Sequence, residues 1–534
     1  MIGLAVDTAD LAVAAEFFEL FKTPWERADP AVRYRVALVM GRGAEGVDAD
    51  VHLVFGPEGA GTPGSSHRAG PVMVDAASGR FRVYGSLSTF AAGDGSDVLT
   101  CDGQPVACRT RVRDATRWRI GYDLLFEVRC LLTGGQPPED AETPTLEHHI
   151  ALLRRLLLLS GVAFVEIPPR PQGRPFICCL THDVDFFGIR RHKADRTAAG
   201  FLFRASLGSA FDLLRGRRTL RDAARNWLAA FSLPFVHLGL ARDFWQPLAD
   251  YLAADHGHPA TFFLVPFKGR PGASPDGSVQ PSRAVAYGVR DLAPALRQLP
   301  AHVELAVHGI DAWCDAALGR RELQELTAVT GQPTAGVRMH WLYFDASSPQ
   351  RLEAAGFAYD STNGYNDAIG YRAGTSQVFR LAGASDLLEL PLSIMDTALL
   401  YPRRLSLTHV EALRRCRTIV ANARAFGGTV VINWHDRSLS PERQWGRPYR
   451  QLLEDVGSGD GAWFATAMQA VQWFRWRRSC AFTVLAGRES VTVTGGQRPA
   501  DVPGAVVRVH RPGDPVARVE ELPLDGDAPV EVRL

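Results

Sequence analysis

At 534 residues the chain is longer than one hydrophobic core normally supports, so two or three domains are expected. With 46% apolar residues, 22% charged residues and a net charge of +1, it has the make-up of a globular protein with no global pull toward nucleic acid or membrane. Its eight cysteines are scattered with no C-x-x-C pair, which argues for reduced thiols and against a disulfide framework.

In chain order, Met1 to Phe21 lacks the basic start of an export signal and carries acids early, so a cytoplasmic protein is expected. Residues 1–145 mix short alternating runs (33–40, 51–55, 81–84) with Gly- and Pro-rich turns, the texture of a separate α+β module. Gly41 to Gly46 spells G-x-G-x-x-G after a strand. A strand-like run follows instead of a helix, so no helix N-terminus is offered to a phosphate. Residues 144–160 read as a helix leading into the next unit, and its adjacent His148 and His149 point to different faces, a poor metal pair. The most apolar stretch, 156–165, is too short to span a bilayer.

From there the pattern becomes that of an α/β unit over 146–477. The continuous apolar run 176–180 reads as a buried strand, and it ends in Thr181-His182-Asp183-Val184-Asp185. Two carboxylates at i, i+2 at a strand end allow one to hold a metal while the other handles a proton. The pattern recurs: 303–307 delivers His308, 334–337 delivers Arg338, then His340 and Trp341, and 429–434 delivers His435 and Asp436. Ionisable residues at the ends of strand-like runs separated by helix-like segments are what a β/α barrel active site requires.

Between the first motif and 260–265 lies a helical insertion, about 186–258, holding ten Lys/Arg against three Asp from Phe186 to Trp227. Phe201, Phe203, Leu207, Phe211 and Leu214 recur at helical spacing, and the expectation is a solvated basic face over a core-facing stripe. The alternative is a basic amphipathic lid that docks peripherally on an anionic membrane or grips an anionic glycan. After about Trp476 short strand-like runs separated by Gly/Pro turns suggest a small β-sandwich-like domain over 478–534; it lacks Trp and Tyr after Phe482, so a structural cap is expected.

The ordered motifs THDVD, ATFFLV, ELAVHG, VR and INWH resemble those of metal-dependent polysaccharide deacetylases with a NodB homology domain, in the variant whose first motif is Asp-x-Asp. The resemblance covers roughly residues 172–475. It implies an irregular (β/α) barrel and hydrolysis of an N-acetyl amide on a sugar or polysaccharide precursor. It implies Asp183 as general base, Asp185 and His308 as metal ligands, Arg338 as the partner of the base and His435 as the acid for the leaving amine. It places an oxyanion site at backbone N–H groups near His340 and Trp341. Position 312, where the family's second metal histidine falls, is Ala312, and His340 stands where the family usually has a proline. Either a third ligand then comes from Asp311 or His340, or the metal site is weak or lost; zinc is the preferred ion, with iron, manganese or cobalt also suited to such a set. Beyond the motifs, Trp341 and Tyr371 offer faces for stacking on a sugar and Arg372 a fork for an anionic group, while Asp360 and Asp396 read as wall or turn residues. Hydrolysis of a small non-sugar amide, and glycan binding without catalysis, remain the alternatives.

Overall fold

The computed structural model describes all residues except 41–45, 58–64, 194, 217, 247, 333, 485–489, 514–516 and 527. The glycine run from 41 lies, apart from Gly46, outside the described residues. The site is carried by a sheet of parallel strands: β1 (Ile177–Val184), β2 (Ala260–Leu264), β3 (Val303–Gly309), β4 (Val337–Met339), β5 (Ile394–Met395), β6 (Thr429–Asn433) and β7 (Trp463–Phe464). Their order is β4-β3-β2-β1-β6-β5, with β7 beside the first two residues of β1. All eight residues of β1 are buried: the apolar 177–180 as a parallel sheet covered on both faces demands, and the polar 181–183 by pairing with neighbouring side chains and carbonyls.

One run of chain spans the sheet's open side. Glu389 bridges Asp360, which bridges Val337 of β4, and a few residues later Ile394 pairs with Ile432 of β6. The result is an irregular, partly closed barrel. Its helices are set by local chemistry. Asp315 accepts from the amides of Ala317 and Leu318 to start Ala316–Thr330, and Thr408 with Glu411 and Thr466 with Gln469 form capping boxes for His409–Phe426 and Ala467–Ser479. Gly331 and Gly356 end Ala316–Thr330 and Ser348–Ala355 at φ of 72° and 95°, a left-handed turn that costs glycine nothing.

Ahead of the barrel, the strands Ile2–Ala5, Trp25–Arg27, Tyr34–Met40, Ala49–Phe55 and Ala115–Ile120 run parallel, with Ala107–Val112 antiparallel at one edge. Thr145–Leu159 is a helix in which both histidines are spent structurally: His148 bonds to Ser78 and His149 to Tyr122. At the other end, two three-stranded antiparallel sheets form, and one takes its third strand from Phe164–Glu166, on the barrel side of the expected boundary. That strand places the buried Glu166 against Arg154, Arg508 and His510. Burial opposes its charge, but the two arginines and the His510 hydrogen bond outweigh it and hold the carboxyl well below the usual range.

The expected core-facing stripe of the insertion is not there. Phe201 alone of the five is buried, while Phe203, Leu207, Phe211 and Leu214 face solvent. The helices Arg196–Phe203 and Leu220–His237 turn Ala198, Phe201, Ala223, Ala229, Leu233 and Val236 inward, and the other bulky residues of the stripe are left outside.

Candidate active site and metal centre

Strand alternation decides which residues of THDVD reach the site. Thr181 and Asp183 share one face of β1, and His182 takes the other, where it bonds to the Trp434 carbonyl and to Asp255 among buried aromatic rings. On β6, Asn433 stands opposite Thr181 in register, so Asp183 and His435 follow at the same level. On β3 and β4, His308 stands opposite Arg338. Four strand ends thereby converge on one cavity of about 360 Å³, lined by Asp183, Asp185, His308, His340, Trp341 and His435 among others.

Asp183 is buried and held on both oxygens. Arg338 donates to one at 2.9 Å and the Asn433 amide to the other at 2.7 Å. Burial would raise its pKa, but Arg338, with His308 and His435 behind it, brings the carboxyl below its ordinary value. Arg338 is itself immobilised: it also donates to Thr181 Oγ1 and to the Ser361 carbonyl and hydroxyl, and it lies over the Phe263 ring at 4.3 Å.

Beside this pair stand Asp185, His308 and His340. Asp185 Oδ1 lies 3.3 Å from His308 Nε2 and 3.2 Å from His340 Nδ1, and the two nitrogens are 2.9 Å apart. Three ligands about 2.1 Å from a tetrahedral ion are about 3.4 Å from one another, so these atoms are nearly at ligating separation already. Asp185 Oδ1 is buried and has no hydrogen-bond partner among the described residues. The His308 Nδ1 proton is taken by the Arg338 carbonyl at 3.0 Å, which leaves the Nε2 lone pair directed at the cluster. Burial lowers the pKa of His340, favouring the neutral imidazole that coordinates metals. A divalent ion fits this set, and these three residues are the ones that would hold it.

Ala312 explains why the set is drawn this way. It is fully buried against Gly319, where an added Cβ would lie 3.0 Å from that of Ala312, so close helix packing occupies the position and His340 brings the second imidazole. Asp311 lies outside the cluster: its carboxylate accepts from the Ala273 amide and its own amide donates to Glu322.

His435 faces the pair from β6. Its Nδ1 bonds Asp396 Oδ1 at 2.6 Å, while its Nε2 lies 4.0 Å from Asp183 and 3.9 Å from Asp185. Asp396 is fixed in turn by the His435 amide and the Ser438 hydroxyl. Burial would lower the imidazole pKa, but Asp396, assisted by Asp185 and Asp183, pushes it up to about 9. The sequence offers Asp396 as a pocket-wall or turn residue without naming its partner and gives Asn433 no role; the one signal for Asn433 is its i−2 spacing from His435, which puts both on one face of the strand.

Trp341 lines the cavity, 39% exposed, with φ of 66°, and Leu342 follows at 56°, an uncommon left-handed pair for bulky residues. Tyr371 and Arg372 are elsewhere. Tyr371 is buried with its hydroxyl donating to the Ile419 carbonyl, and Arg372 donates to the Gly364 carbonyl, so neither lines the cavity. The rim instead carries Tyr401, Arg404, Arg437 and Arg443, which no motif announced.

No family model matches the sequence, and no curated protein matches it. Among solved structures, the chain is similar to a candidate polysaccharide deacetylase from Mycobacterium smegmatis, at 19% identity and a TM-score of 0.34, over 58% of this chain and 95% of that one. A second, from Pseudomonas aeruginosa PAO1, matches at 16% identity and a TM-score of 0.36, over 59% and 94%. A third, from Bordetella bronchiseptica and described as involved in O-antigen biosynthesis, matches at 17% and 0.23, over 52% and 90%.

Proposed function

We propose that this chain is a metal-dependent amide hydrolase that removes an N-acetyl group from a sugar or polysaccharide precursor. The observation that carries the reading is the meeting, in one cavity, of a carboxylate paired with an arginine, one carboxylate and two imidazoles near ligating separation, and a further imidazole held by its own carboxylate. Asp183, kept charged by Arg338 and Asn433, is the general base that takes a proton from the attacking water. Asp185, His308 and His340 hold a divalent ion, zinc by preference, and that ion when bound polarises the amide carbonyl and acidifies water. His435, protonated at neutral pH because of Asp396, gives its Nε2 proton to the departing amine. Trp341 offers its ring at the mouth for stacking on a sugar face.

The test is acetate release from N-acetylated hexosamine oligosaccharides by metal-loaded protein, beside Asp183→Asn and His435→Gln. Release by the wild type, reduced about 10²–10⁴-fold in each variant, is expected. No release from any N-acetylated sugar by protein with its metal bound would remove the sugar substrate; release from small amides alone would move the reading to that class.

A further inference from the structure

The helical insertion between β1 and β2 buries one small apolar cluster and leaves much of its apolar surface outside. Its first arm, Arg196–Phe203 continued through Arg204–Gly208 to Ser209–Leu214, meets its second arm, Leu220–His237, through small side chains such as Ala205, Ser209 and Ala229. Phe201, Leu233 and Val236 are buried there beside Trp245, but most of the large apolar side chains point away. On the first arm Phe203, Leu207, Phe211 and Leu214 recur every three or four residues, 54% to 84% exposed. On the second, Leu228, Phe231, Phe235 and Leu238 do the same at 56% to 78%. Exposed apolar residues scattered singly are ordinary; eight on two adjoining helices are a surface made to be covered.

The same insertion carries uncompensated positive charge. Arg218 and Arg242 pair with Asp212 and Asp250, but Lys193, Arg196, Arg215 and Arg221 are exposed and in no ion pair among the described residues, and Arg225 is exposed with Asp222 as its nearby charge. We propose that this face is a peripheral docking surface for an anionic lipid bilayer. Apolar stripes flanked by arginines match a bilayer surface on both counts: rings and leucines enter the headgroup–acyl boundary while guanidinium groups meet lipid phosphates. A second copy of the chain would match only the apolar half, because it would bring the same cations face to face. No helix among the described residues is long and apolar enough to cross a membrane, so the contact is interfacial.

The insertion is fastened to the rim of the cavity. Arg437 lies over the Phe186 and Trp245 rings at 4.2 and 4.6 Å, Arg218 donates to the Glu442 carbonyl, and Gln444 donates to the Asp222 carbonyl. Docking therefore carries the cavity to the membrane surface, whichever substrate it takes.

The experiment is cosedimentation of the full chain with vesicles of phosphatidylcholine mixed with phosphatidylglycerol, and of phosphatidylcholine alone, with light scattering of the lipid-free protein alongside. Binding to the mixed vesicles is expected, at least about tenfold weaker on phosphatidylcholine alone and weakened by salt. The triple variant Phe211→Ser, Phe231→Ser, Phe235→Ser loses binding while keeping the wild-type melting temperature, and Arg215→Gln, Arg221→Gln and Arg225→Gln each weaken it about fivefold. Wild type that stays in solution with mixed vesicles overturns the proposal, as does a triple variant that binds like wild type. A dimer that the triple variant dissociates would overturn it too, because the face would then belong to a second copy.

Discussion

Replacing Asp396 by Asn keeps the shape of its side chain and removes the charge that most favours the His435 imidazolium. The 2.6 Å contact lies in a buried site, and Asp183 and Asp185 stand much farther from the ring, at 4.0 and 3.9 Å. The imidazole pKa, about 9 in the folded protein, should fall to its ordinary value of 6.5 or lower. That change of about 2.5 units corresponds to about 3 kcal/mol. In metal-free protein near pH 8, the protonated fraction of His435 drops from about nine-tenths to about one-thirtieth. Histidine-selective NMR titration of both proteins, with His435→Gln to identify the resonance, reads it directly. The sign for stability follows from a raised pKa: the pair's contribution is complete below pH 6.5 and is lost as pH rises through about 9. The stability deficit of Asp396→Asn is therefore largest in mild acid and shrinks in base. A titration midpoint within half a unit of the wild-type value would refute the assignment of Asp396 as the partner that charges His435.

Three further outcomes follow from the geometry. Arg338→Gln strips Asp183 of its buried cation and should lower stability by about 3–5 kcal/mol, measured by urea denaturation. Glu166→Gln should cost a similar amount near neutrality by leaving Arg154, Arg508 and His510 without their shared carboxylate. Because folding depresses the Glu166 pKa, its contribution is present above 4.5 and lost as pH falls below it, so denaturation in acid should show the variant and wild type converging. Trp341→Gly relieves a left-handed backbone worth about 1 kcal/mol while deleting the ring at the cavity mouth; its melting temperature should hold or rise while KM for a glycan substrate increases.

What could be read from the sequence was where strands end, and what could not was which way loops and helices face. The unbroken run before Asp183 and the runs before His308, Arg338 and His435 place these residues at one end of a parallel sheet, because strand period and parallel pairing leave little choice. Loops are freer. Asp311 and His340 were equal candidates by spacing, and only the packing of Ala312 against Gly319 and the turn through Trp341 separate them. Tyr371 and Arg372, between the motifs, offer a ring and a guanidinium fork by residue type alone, yet their polar atoms are used by the carbonyls of Ile419 and Gly364. Asp396 was indistinguishable from a turn former until the fold set it against a histidine 39 residues away. In the insertion, periodicity located the apolar stripe but not its direction, since the face with Ala198, Phe201, Ala223, Ala229, Leu233 and Val236 also offers an apolar surface and is the one that is buried.

The central claim is that Asp185, His308 and His340 together hold one divalent ion. The direct measurement is metal stoichiometry by mass spectrometry on chelator-free protein, for the wild type and for Asp185→Ala, His308→Ala, His340→Ala and Asp311→Ala. The account predicts one ion per chain in the wild type and in Asp311→Ala, and its loss in the other three. Metal retained in His340→Ala, or lost in Asp311→Ala, would contradict it, as would a wild-type protein that binds none after reconstitution.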